Sequence, residues 1–161
     1  MTAITRFRRS VAFVFGVALL LSMTVGGAFA AESKPPLPKP QLPGMVSAQG
    51  KGMVKIEGKG VVTLTGAGEA WVKGATELKA EGKGKRETVS DGTVHFSNWY
   101  GVIRARGDAV MFYAKGDALT IRAEGTGTAI LKGHGRYETR STHGEWKADG
   151  VTVAFAPAPK K

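Results

Sequence analysis

Glycine returns at Gly50, Gly58, Gly66, Gly74 and Gly82 in steps of eight, and four of these five open a Gly-x-Gly triplet. The triplets are Gly50-Lys51-Gly52, Gly58-Lys59-Gly60, Gly66-Ala67-Gly68 and Gly82-Lys83-Gly84. Gly125-Thr126-Gly127 and Gly133-His134-Gly135 keep the same step further on. Interior glycine costs a helix ~1 kcal/mol per residue, so this density argues against helices. Between the triplets, Val54 and Ile56, Val62 and Leu64, Ala70 and Val72, then Leu78 and Ala80 occupy the same two slots. Their neighbours Lys55, Thr63, Glu69, Lys73, Glu77 and Lys79 are polar. Period two with one apolar face describes strands with one side in a core and one side in water.

The triplets read as turns. Reflection about Lys59 sets Val54 opposite Leu64 and Ile56 opposite Val62. Reflection about Ala67 pairs Val62 with Val72 and Leu64 with Ala70. A three-residue hairpin loop ends in a left-handed residue, which suits Gly60 and Gly68. The chain beyond the octads predicts strands over 93–99, 102–106, 109–113, 118–123, 128–132, 136–142 and 151–155. Turns fall at Ser90-Asp91-Gly92, Gly107-Asp108, Lys115-Gly116-Asp117 and Asp149-Gly150. Segment 109–113 is apolar at every position and reads as a central strand. The expected fold is all-β, an antiparallel meander of about a dozen short strands in a sandwich or barrel-like roll. The alternative is a short β-solenoid, in which two five-residue faces make a sixteen-residue rung and stack Val54 over Ala70 and Val62 over Leu78. The irregular second half favours the meander.

Residues 1–30 read as a signal peptide. Arg6, Arg8 and Arg9 precede an apolar run from Val11 to Met23, and Ala28-Phe29-Ala30 supplies a small-x-small site before Ala31. An uncleaved anchor needs ~20 apolar residues, and this run stops sooner, at Gly26-Gly27. Residues 31–45 read as an extended linker holding five of the seven prolines, since proline lacks the N–H that helix and inner strand require. The β domain is expected over 46–156 and a basic tail over 157–161. The expected location is therefore periplasmic or extracellular, with no membrane span after cleavage. The chain has no cysteine, so disulfides and thiolate metal sites are excluded.

Net charge is +10, and +7 from Ala31 onward once the three leader arginines are removed. That favours anionic polymers as partners, without specificity for nucleic acid. No nucleophile elbow, zinc-protease helix or phosphate loop is present. The three histidines, His95, His134 and His143, show no ligand spacing, and no cofactor is expected. Alternation places Trp71 outward among Lys55, Thr63 and Lys79, where an indole stacks on a sugar or base unless another part of the domain covers it. Trp99 and Tyr100 form either a loop contact or an apolar plug. Arg104 and Arg106 share one strand face, Arg122 faces outward on another, and Arg136 and Arg140 on a third. Neighbouring strands would make these a stripe suited to carboxylate or phosphate, partly neutralised by Glu124 and Glu138. The expected function is that of an exported, non-enzymatic structural or interaction protein of the envelope or exterior. The alternative is a binding module for an anionic polymer such as an acidic polysaccharide, with Trp71, Arg104, Arg106 and Arg122 as its contacts. Self-association through free strand edges is a further expectation.

Overall fold

The computed structural model describes residues 42–158; the signal segment, the linker as far as Gln41 and the last three residues lie outside them. The described residues contain five strands and no helix: β1 (Gly44–Lys73), β2 (Glu77–Thr88), β3 (Val94–Thr139), β4 (His143–Glu145) and β5 (Val151–Phe155). They form one sheet in which every strand pair is antiparallel. The all-β, antiparallel expectation holds, but the strands are fewer and far longer than about a dozen.

The register explains how such long strands fit one core. β1 and β2 together lie opposite β3 as the two arms of one hairpin. Thr88 pairs with Val94 and Glu77 with Arg106. The same ladder continues through Lys73 with Met111, Gly60 with Gly125 and Val46 with Thr139. β1 then pairs with β3 a second time, on its other side: Val46 with Ala123, Gly60 with Gly107, Val72 with Val94. Gly125 joins both Gly44 and Gly60, so one coil of β1 meets the next after sixteen residues. The hairpin is wound on itself, coil against coil.

The Gly-x-Gly triplets are the bends of this winding. At the bends glycine faces glycine: Gly50 opposite Gly135, Gly52 opposite Gly133, Gly58 opposite Gly127 and Gly82 opposite Gly101. Gly60 shows why. Its φ is +139°, a region side chains avoid, and a Cβ there would lie 1.9 Å from the Glu124 carbonyl oxygen. The triplets therefore bend continuous strands rather than reverse them, which corrects the hairpin reading. Val54 pairs with Ala114 and Leu131, not with Leu64; Ile56 pairs with Phe112 and Ala129, not with Val62. The sixteen-residue spacing of the solenoid alternative is present, with β3 interleaved. Val54 and Ala70 flank Ala114, and Val62 and Leu78 flank Ala105.

The inward slots fill one apolar cluster, including Val54, Ile56, Val62, Leu64, Phe96, Ile103, Phe112 and Ile121. Burial of each large side chain contributes ~1.5–3 kcal/mol. Segment 109–113 is central, with β1 on both sides of Met111, Phe112 and Tyr113, yet it alternates: Val110 and Phe112 are buried while Ala109 and Met111 are exposed. The core's last coils are covered differently at the two extremes of the sheet. Trp146 is buried, and its indole N–H donates to the Arg136 carbonyl at 3.1 Å. Across the sheet, the Arg86 guanidinium sits 5.8 Å from the Phe96 ring centroid, and Trp99 packs edge-on against Phe96 at 5.2 Å. Trp99 is thus the plug, whereas adjacent Tyr100 is 69% exposed.

The hairpin tip, residues 89–93, is held by Asp91. Its carboxylate accepts hydrogen bonds from Lys73 Nζ at 2.8 Å and from the Thr93 amide and hydroxyl at 3.0 Å each. The Lys73 bond first, then the two from Thr93, hold this carboxyl well below the usual carboxylate range. A depressed carboxyl contributes its stabilisation above the unfolded-state pKa of ~3.9 and loses it as pH falls further. Asp91→Ala is expected to speed amide exchange across residues 89–93 at neutral pH and leave the Phe112 region unchanged. Lowering the pH should bring the wild-type tip toward the variant's rate; a difference that persists in acid would contradict the assignment.

Candidate functional site

Sheet register sets outward side chains in rows that run across the strands. Adjacent strands are ~4.8 Å apart, so a row is a nearly continuous line of side chains. One row runs Lys79, Arg104, Thr63, Arg122, Ser47, Glu138, each paired with the next. Its neighbour runs Glu77, Arg106, Val61, Glu124, Met45. Arg104 and Arg122 therefore lie on either side of Thr63, and Arg106 lies one row away on the strand of Arg104. The coil brings all three sequence-predicted arginines onto one flank.

The flank is not uniformly basic. Arg122 Nε donates to Glu124 Oε1 at 2.8 Å, and Lys79 Nζ is 2.8 Å from Glu77 Oε1. The Lys79 hydrogen bond chiefly lowers the Glu77 pKa, with the charges of Lys79, Arg106 and Arg104 adding to it. Such exposed pairs contribute little to stability. Among the described residues, the Arg104 and Arg106 guanidinium groups have no ion pair, so both are free to meet a ligand. Arg136 continues the flank toward β4. There Ser47, Gln49, Arg136, Glu138, His143 and Glu145 line an open groove. Arg140 is occupied differently, its Nε donating to the Pro43 carbonyl at 2.7 Å.

Trp71 does not join the arginines. It lies beyond the Gly66-Ala67-Gly68 bend, in a row with His95, Tyr113 and Lys55. Its ring stacks on His95 with centroids 4.6 Å apart and 10° between planes, and Tyr113 packs at 5.1 Å and 62°. The rings stand side by side on neighbouring strands. The indole face against His95 is covered, which removes it as a platform for a sugar or base. The three histidines lie apart: His95 in this stack, His134 at the bend opposite Lys51, His143 on β4.

No family model matches this chain, and comparison with curated proteins and with solved structures likewise gives no match.

Proposed function

We propose that the protein is an exported, non-enzymatic structural or interaction protein of the cell envelope or exterior. What supports this reading is the leader-like segment 1–30 together with a coil whose outward side chains form straight rows, a surface suited to an extended partner. Fractionation tests it. The protein should sediment with envelope material and be released by raised salt; a protein that stays soluble at every ionic strength would contradict the reading.

One observation favours an anionic polymer, such as an acidic polysaccharide, as that partner: the unpaired Arg104 and Arg106 beside Arg122. Guanidinium groups bind carboxylate and sulfate in a bidentate manner, and repeated acidic groups would engage several at once. Retention on an immobilised acidic polysaccharide should fall steeply with salt. Arg104→Ala with Arg106→Ala should weaken binding about tenfold, whereas Trp71→Ala should leave it unchanged in protein that remains folded. Equal binding by the arginine variant would remove this partner class.

A further inference from the structure

Among the described residues, the twelve-residue strand β2 is paired on one side only, with β3. Its other edge presents unpaired backbone groups, and all its residues are exposed except half-buried Leu78 and Ala80. Long free edges are templates for pairing with another strand. Inside the coil, such edges of β1 are covered by antiparallel β3, and at the bends Gly50, Gly52, Gly58, Gly60 and Gly66 each face a glycine of that neighbour. The sequence of β2 shows which neighbour fits.

We infer that β2 pairs with β2 of a second copy, antiparallel, about a two-fold axis at Lys83. The bend Gly82-Lys83-Gly84 then meets the same bend, with Gly82 opposite Gly84, which repeats the glycine-to-glycine contacts within the chain. Outward residues fall opposite complementary charges: Glu81 meets Lys85, and Lys79 meets Glu87, each pair formed twice by symmetry. Inward residues fall together as well. Leu78 meets Thr88, and Ala80 meets Arg86, whose guanidinium already rests over Phe96. A two-fold at Lys79 instead opposes Glu77 to Glu81 and Lys79 to its own copy. Like charges opposed across strands are destabilising, so the charge pattern selects the bend-centred register. Only the Lys83 pair is like-charged in that register, at an exposed bend where water screens it.

This deepens the interaction-protein reading by naming a second copy as a partner, and it rests on none of the three arginines Arg104, Arg106 and Arg122. The two therefore fail separately: a monomer can still bind polysaccharide, and a dimer can fail to.

The test is sedimentation velocity on the full chain as its host processes it, across about a hundredfold range of concentration. A concentration-dependent dimer is expected. Glu81→Lys should weaken it about tenfold or more, and Glu81→Lys combined with Lys85→Glu should restore it, because the swap rebuilds both pairs. Far-ultraviolet circular dichroism of each variant should match the wild type. A monomer throughout the range overturns the proposal. So does a dimer indifferent to Glu81→Lys, or an open series of larger oligomers, which a two-fold contact cannot make.

Discussion

Gly60→Ala is expected to destabilise the fold by about 3 kcal/mol or more, a large part of a typical domain's total. Two effects combine. The φ of +139° strains any residue with a side chain, and the added Cβ would sit 1.9 Å from the Glu124 carbonyl oxygen and 3.0 Å from the Gly125 Cα. Those obstacles are backbone, so no rotamer change relieves them. Either the two chains separate at the bend, with loss of ladder hydrogen bonds on both sides, or the variant does not fold. Gly92→Ala is the control. Its φ of +79° is also left-handed, yet nothing lies within 4 Å of the added atom. It should cost about 1 kcal/mol. Thermal melting should show a drop of about 10 °C or more for Gly60→Ala and only a few degrees for Gly92→Ala. Equal, small drops would mean that Gly60 is not at a close crossing.

Phe112→Ala is expected to cost about 3–5 kcal/mol. Phe112 is fully buried, and β1 flanks it on both sides, through Ile56 and Val72. A void there is bordered by the paired strands on either side, whose register limits how far they can collapse into it. Met111→Ala, one residue earlier and 43% exposed, should change stability by less than about 0.5 kcal/mol. Urea titration separates them: the midpoint should fall sharply for Phe112→Ala with the slope retained, and stay in place for Met111→Ala.

The octad made much of this architecture legible. Alternation correctly placed Val54, Ile56, Val62 and Leu64 inward, because a strand's side chains have a strict period of two. The pairing was not legible, for a physical reason. Every inward slot is apolar, so the reflection about Lys59 matched Ile56 with Val62 as well as the true register matches it with Phe112. A Gly-x-Gly triplet suits a tight loop and a close chain crossing alike, since both need a backbone without Cβ. The partner strand also hides its own period. β3 carries Asn98 at φ +50° beside a register slip between Lys83 and Lys85, and such bulges insert residues that break an eight-residue count. The same gap separates the two candidate sites. Alternation alone marks Arg104, Arg106 and Arg122 as outward, and their shared flank follows once Thr63 is known to lie between Arg104 and Arg122. Trp71 was marked outward on the same grounds, but His95 and Tyr113 are distant in sequence and reach it only through the coil. No local signal announces that its ring is already stacked.

The winding of one hairpin on itself carries every other conclusion, and proton–proton contacts by nuclear magnetic resonance test it directly. Thr63 should show cross-strand contacts to both Arg104 and Arg122, and Ile56 to both Phe112 and Ala129. Contacts of Ile56 with Val62 and of Val54 with Leu64, in place of these, would make the triplets hairpin turns and contradict the coil.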